Sequence, residues 1–325
     1  MFRDFTAGNK QKLMAQNIVL EAKELSFKYP GNQYDSVKDI SLQIKEGSCL
    51  GIIGPNGAGK STLISILCGL IENDKGQIAY YPETHSQPQS KKQIEKLIKK
   101  HVALIPQEYA FYPELTVKQN LAYFISLNQY SSAQEKVVLE STLLQCQLID
   151  VANKKTINLS GGYKRRLNIA IAISKSPKII FLDEPTVGID PVSRKDIIAL
   201  LQSLKSDGLT LIYTSHMLNE IEELCDDVLL LEAGAAISLK NLKNDTQRLS
   251  FELLDIDADK DFLQSLTIIK EKNSSSHFQL KIENKKQLKE NLNILNNNLH
   301  NIKTIHFSRN SIDQIYFDSV KAKQC

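Results

Sequence analysis

Short runs of apolar, often β-branched residues recur through the first two thirds of the chain: "IVLEAKELSFKYP" from Ile18, "SLQIKEGSCLGIIG", "KIIFLDEP", "LTLIYTS" and "DVLLLEAG". Helical patterns such as "KSTLISILCGL" separate them. That alternation predicts an α/β core with a largely parallel sheet. From about Tyr109 to Lys175 strand signals are missing, so residues 109–175 read as a helical arm inserted into the sheet domain. The sheet domain as a whole spans residues 18–239, and residues 1–17 form a flexible lead-in to its first strand.

After Leu239 the texture changes to Lys- and Asn-rich segments with short alternating runs. "SFELLDI", "DKDFLQSL", "TIIKEKN", "HFQLKIE", "KKQLKENLNILNNNL" and "NIKTIHFS" read as strand, helix, strand, strand, helix, strand, with a turn at "NSSS". This is the order of a ferredoxin-like split β-α-β fold, and it predicts a small α+β accessory domain over residues 240–325. The asparagines between 291 and 301 fit an exposed helix end.

Composition narrows the class. A chain of 325 residues, 42% hydrophobic and 24% charged, is an ordinary globular one, long enough for a large domain and a smaller one. A net charge of +3, with Lys and Arg spread along the chain, gives no argument for nucleic acid. The longest apolar runs fall far short of the roughly 18 residues that a membrane span needs. Arg3, Lys10 and Lys12 precede no apolar segment, so the N-terminal stretch does not read as a secretory signal. Five cysteines without a C-x-x-C pair fit structural thiols in a reducing compartment. Cysteine, histidine and acid spacings match no zinc or calcium template.

Candidate chemistry begins at "GPNGAGKST", which fits G-x-x-x-x-G-K-[ST] with a strand before it and a helix after it. Gly54, Pro55, Asn56, Gly57, Ala58 and Gly59 form a loop whose N-H groups can curl around phosphates. Lys60 supplies a positive charge to the β- and γ-phosphates, Ser61 offers Mg²⁺ a hydroxyl, and Thr62 closes the motif as a further nucleotide-binding residue. "KIIFLDEP" ends a buried strand in two acids at the carboxyl edge, where open α/β sheets bind ligands. Asp183 would hold Mg²⁺ through water, and Glu184 would polarise the attacking water. At "NLSGGYKRRL", Ser160 either caps the helix that follows or, with Gly161 and Gly162, contacts an anion at its N terminus.

Walker-type loop, "LSGG" and D-E pair in that order strongly resemble the ATP-binding cassette family, over roughly residues 18–239. The resemblance implies a P-loop NTPase fold, an Mg²⁺-dependent ATPase and a homodimer or cassette heterodimer. In such a dimer Ser160 and Gly162 would close over the phosphate held by the other subunit's loop. Tyr163 departs from the commoner glutamine after LSGG. The resemblance also places Tyr29 on adenine, Gln107 at Mg²⁺ and water, and His216 at the γ-phosphate. It gives Asp190, which also reads as a helix N-cap before Pro191, a role at the subunit interface.

Three functional classes compete for such an ATPase. The DNA-repair type separates loop and signature by long coiled coils, and here they lie too near each other; the translation-associated type has two cassettes, and this chain has one Walker loop. A transporter subunit must touch a membrane permease. "QEYAFYPELTVKQN" sets Tyr109, Phe111 and Tyr112 before a capping box at Thr116 and Gln119; these aromatics are either core or the groove that in the family receives a cytoplasmic permease helix. "LSGGYKRRLNIAIAI" and the tail "SRNSIDQIYFDSV" are similar to the branch exporting drugs, polyketides, lipids and polysaccharides, with Ser311, Ile312 and Asp313 at comparable places. Gln314 and Tyr316 depart from that tail motif. The implied protein is peripheral to the cytoplasmic face of the cell membrane.

Overall fold

Residues 17–81, 90–241, 247–254, 263, 266, 268–271, 277–282 and 285–309 are described by the computed structural model. β1 (Ile18–Phe27) and β2 (Val37–Lys45) pair antiparallel. In β2 the inward Val37, Ile40, Leu42 and Ile44 are separated by exposed polar residues, as expected of a strand with one wet face. β3 (Cys49–Ile53) is buried at all five positions. A strand enclosed on both faces needs the unbroken apolar run "CLGII". The stretch from Ser41 to Gly54, one strand-like run in the sequence, thus holds parts of two strands, parted by a turn at Gly47 with φ 67°.

The chain continues through α1 (Lys60–Leu67), β4 (Lys75–Tyr80), α2 (Lys91–His101), β5 (Val102–Ile105), α3 (Val117–Ser126), α4 (Ser132–Gln145) and α5 (Gly161–Ile173). β6 (Ile179–Leu182), α6 (Pro191–Ser206), β7 (Thr210–Thr214), α7 (Leu218–Leu224), β8 (Asp227–Glu232) and β9 (Ala235–Asn241) complete the N-terminal unit, residues 1–240 by compactness. Its nine strands form one sheet in the order β4-β1-β2-β9-β8-β3-β7-β6-β5. The segment from β8 to β5 has parallel pairs throughout, while β1 runs antiparallel to both β2 and β4. β3 lies between β7 and β8, and β6 between β7 and β5, so the strands that lead into the phosphate loop and the acid pair are separated only by β7. Their carboxyl ends share one edge.

Residues 109–175 contain three helices and two short 3-10 turns. α3 opens with a capping box in which Thr116 Oγ1 accepts from Gln119 N at 3.1 Å and Gln119 Oε1 from Thr116 N at 2.9 Å. Cys49, Cys68, Cys146 and Cys225 are buried free thiols. Burial pushes the Cys146 thiol up to about 12, which keeps it a small hydrophobe rather than a nucleophile. No described helix is long and apolar enough to cross a membrane.

The C-terminal unit, residues 241–325, has its own four-stranded antiparallel sheet. β10 (Gln247–Leu253), β11 (Ile268–Glu271), β12 (His277–Ile282) and β13 (Ile302–Arg309) stand in the order β11-β12-β10-β13. That order is the one expected of the split β-α-β arrangement. Leu295 of α8 (Lys285–Asn297) joins Leu249, Phe251, Leu253, Leu266, Phe278, Leu280 and Ile282 in a single core. The helix expected over "DKDFLQSL" falls largely outside the described residues, as do the lead-in before Asn17, the turn at "NSSS" and the tail motif around Ser311, Ile312, Asp313, Gln314 and Tyr316.

Candidate functional site

The loop after β3 is shaped by backbone contacts that leave no room for a side chain at Gly54 or Gly59. Gly59 has φ 100°, and a Cβ on it would run into the Ser36 carbonyl oxygen. Ala58 N donates to Pro55 O at 3.1 Å, and Ala58 O accepts from Gly234 N at 3.1 Å, which ties the loop to the β8–β9 turn. Pro55, Asn56 and Gly57 face outward, as does Ser61, while Thr62 is half-buried. α1 starts without a side-chain cap. Bare first-turn amides at the end of a glycine-rich loop make a site for an anion.

Lys60 is buried to 6% exposure, with its ammonium donating to Gly54 O at 3.0 Å and Pro55 O at 3.3 Å. Its third neighbour is the Glu184 carboxylate, Oε1 at 3.4 Å. The other oxygen of Glu184, Oε2, is 3.6 Å from His216 Nδ1. One carboxylate therefore stands between the loop lysine and the histidine, and both neighbours come from different strand ends.

The backbone at Glu184 is held in an unusual state. Its φ is 45°, in the left-handed region that residues with a Cβ seldom enter. Thr214 Oγ1 at the end of β7 accepts from Glu184 N at 2.8 Å and donates to Asp183 Oδ1 at 2.8 Å. One hydroxyl thus orients both acids. Local strain kept in place by surrounding hydrogen bonds is characteristic of sites where a side chain must be aimed.

The remaining sequence-derived positions have surroundings of their own. Gln107 is exposed just past β5, and its carbonyl accepts from Arg165 Nη2 at 2.6 Å. Tyr29 is 38% exposed, its ring edge-on to Phe27 at 4.8 Å. Asp190 caps α6, its Oδ1 accepting from Val192 N at 3.1 Å and Ser193 N at 3.0 Å. The Ser193 bonds are what hold the exposed Asp190 carboxyl below the ordinary aspartate range. Ser160 precedes α5 but makes no side-chain cap bond, so the capping reading of its hydroxyl does not hold. Gly161 O lies 3.5 Å from the Tyr109 hydroxyl, and Gly162 is so close to α6 that a Cβ would meet the Ser193 side chain. Tyr163 places its ring under Arg166, with the guanidinium carbon 5.3 Å from the centroid.

Tyr109 and Tyr112 are 41% and 47% exposed and Phe111 is half-buried, so the core reading fails for the two tyrosines. Tyr112, Tyr123 and Phe124 form an aromatic cluster, with centroids 5.1 Å apart for the two tyrosines.

Two residues escaped sequence reasoning. Arg165, inside the basic run "YKRRL", is 1% exposed; its Nη1 donates to Pro106 O at 2.8 Å and its Nη2 to Gln107 O. Burial draws its guanidinium below the ordinary arginine value. Asn168, one turn later, accepts from Ala110 N at 3.2 Å. The helix that begins at the signature thus carries the Gln107 loop. The second residue is Glu220, a 2%-exposed acid on α7.

The donors fit a magnesium nucleotide. Mg²⁺ takes oxygen ligands and usually one or two protein groups beside phosphates. Ser61 and Asp183 are such oxygens, and no group of three or more His, Cys, Asp and Glu among the described residues offers a self-sufficient metal cage.

Parallel strands ending in a phosphate loop, an acid pair and a histidine define a P-loop nucleotide-binding protein. Residues 37–187 match the family model described as ABC transporter. The matched stretch, less than half of the chain, holds both the phosphate loop and the acid pair. The chain is 38% identical over 203 residues to the linearmycin resistance ATP-binding protein LnrL of Bacillus subtilis, covering 62% of this chain and 63% of that one. To the Nod factor export ATP-binding protein I of Bradyrhizobium diazoefficiens it is 37% identical over 202 residues, 62% and 64% of the two chains. The matched stretch thus spans less than two thirds of either relative. Among solved structures, CbiO1 of Clostridium perfringens, part of the ABC transporter complex cbiONQ, matches with a TM-score of 0.63 at 27% identity over 69% of this chain and 89% of that one. A cassette solved as a dimer in a post-hydrolysis state with ADP and Pi matches at TM-score 0.60 and 25% identity, over 68% and 98%.

Proposed function

We propose that this protein is the ATP-hydrolysing subunit of an ABC exporter, peripheral to the cytoplasmic face of the membrane and working with a separate integral permease. The observation that carries the reading is the Glu184 carboxylate standing between Lys60 and His216 at the mouth of the phosphate loop. With nucleotide in place, Lys60 and the loop amides hold the β- and γ-phosphates. Asp183, Ser61 and Gln107 would hold Mg²⁺, which would supply positive charge to those phosphates. Glu184 accepts a proton from the attacking water, and His216 contacts the γ-phosphate.

A second cassette completes the site. Ser160, exposed and free of a cap bond, has its hydroxyl available for a phosphate bound by another copy. Asp190, at the start of the helix that touches Gly162, stands beside that surface. The export role rests on the two relatives, one a resistance protein and the other an export protein. The exposed tyrosines at 109, 112 and 123 are a fitting seat for an apolar permease helix.

Phosphate release from Mg-ATP by the purified chain tests the reading. Turnover should be supported by Mg²⁺ and fall to background when excess EDTA removes it. ATP hydrolysis at an unchanged rate in EDTA, or none in Mg²⁺ together with no nucleotide binding, overturns it.

The C-terminal unit is proposed as an accessory domain that stabilises or regulates the cassette dimer, on the ground of its separate core and changed composition. Truncation after Asn241, which spares β9, should leave ATP affinity within about threefold while altering dimerisation or coupling to transport. Loss of nucleotide binding by a truncated chain that retains its circular dichroism spectrum would refute the separation of roles.

A further inference from the structure

α7 begins two residues after His216, and its buried acid is linked to three segments that surround the site. Glu220 Oε2 accepts from Thr186 Oγ1 at 2.8 Å, from Tyr213 Oη at 2.7 Å and from Ser215 Oγ at 2.8 Å. Ser215 Oγ accepts in turn from Met217 N at 2.9 Å, so the two residues flanking His216 are fixed through one acid. Thr186 lies two residues beyond Glu184. Glu220 Oε1 is 3.4 Å from Arg194 Nε, and Arg194 Nη2 donates to Ile189 O at 3.1 Å, the residue before Asp190.

A buried carboxylate is expensive unless it is paired and hydrogen-bonded. Three hydroxyls converging on one oxygen need an acceptor that donates nothing back, which an ionised carboxylate supplies. Burial and the nearby Glu220 hold the Tyr213 phenol well above its ordinary value, so it stays a donor. None of these groups lies in the phosphate loop.

We propose that Glu220 is a positioning residue for hydrolysis. It clamps the Glu184–Thr186 turn, the Ile189–Asp190 turn and the Ser215–Met217 turn into one unit, so Glu184 and His216 keep their mutual placement when Asp190 meets a second cassette. The inference rests on the ATPase reading above, and it predicts an effect on turnover without one on nucleotide affinity.

Glu220→Gln in the full chain keeps one oxygen for the hydroxyls but turns an amide N-H₂ toward Arg194. Its kcat should fall at least tenfold, with KM for Mg-ATP and the affinity for a fluorescent ATP analogue within threefold of wild type. Arg194→Met alone leaves Glu220 buried without its cation. The double variant E220Q/R194M removes both the mismatch and the charge, and should recover at least threefold in kcat over either single variant. Where E220Q does not fold, Thr186→Val withdraws a single hydroxyl, and the same split between kcat and KM is expected. A kcat that returns to wild type once normalised to nucleotide-binding protein shows a purely structural role and overturns the proposal. So do parallel losses of affinity and kcat, or a double variant as impaired as the two single effects combined. Wild-type protein that binds Mg-ATP but never hydrolyses it would instead sink the parent reading, and this inference with it.

Discussion

Glu184→Gln is expected to bind Mg-ATP as tightly as wild type and to hydrolyse it on the order of 10²- to 10⁴-fold more slowly, the range for loss of a general base. The substitution is nearly isosteric, so the Lys60 contact at 3.4 Å and the backbone bond from Glu184 N to Thr214 can persist. What disappears is the basic oxygen that faces His216 at 3.6 Å. Binding should survive because Lys60 keeps its bonds to Gly54 O and Pro55 O. ATP held without turnover should also accumulate the closed assembly, so light scattering in Mg-ATP is expected to show a dimer that ADP does not support. Steady-state hydrolysis near the wild-type rate would remove Glu184 from the role of base.

The parts of this site that could be read from the sequence are those made of consecutive residues. β3, the loop and α1 follow one another without interruption, and the residue types each serve local geometry: an apolar run for an enclosed strand, glycines for a tight loop, a lysine at the helix start. β6 and β7 were visible for the same reason, since all four and all five of their positions are buried and apolar stretches betray them. β4 was not. Its "KGQIAY" has three exposed positions and occupies the end of the sheet, where one-sided cover relaxes the pattern. Lost with it was the antiparallel end of the sheet, because β1 takes that direction from its partners on either side.

Arg165 and Glu220 were hidden for a different reason. Both sit in charged helical segments, "YKRRL" and "LNEIEEL", and each bonds at least one group remote in the chain. Arg165 bonds carbonyls 59 and 58 residues away, and Glu220 a hydroxyl 34 residues away. Nothing local distinguishes Arg165 from Arg166, which pairs with the half-exposed Asp196 at 2.7 Å. The left-handed backbone of Glu184 was equally illegible, since glutamate carries no preference for it and only Thr214 and the strand ends impose it.

Lys60→Ala should abolish high-affinity nucleotide binding, raising the Kd for Mg-ATP by on the order of 100-fold or more. Two or more charge-assisted hydrogen bonds to phosphate, at about 1.5–3 kcal/mol each, account for that magnitude. The ammonium is already aimed, since two loop carbonyls hold it and burial to 6% exposure leaves it little freedom. Pre-placement of this kind spares the ordering cost that a flexible surface lysine would incur on binding. Alanine also leaves the Glu184 carboxylate without its cation at the point where the γ-phosphate brings further negative charge, so repulsion adds to the lost attraction. Equilibrium binding of a fluorescent ATP analogue, with and without Mg²⁺, measures the effect. Glu184→Gln in the same background separates the two contributions: if repulsion matters, the double variant binds more tightly than Lys60→Ala alone. An affinity for Lys60→Ala within threefold of wild type would show that the phosphates do not lie against this loop.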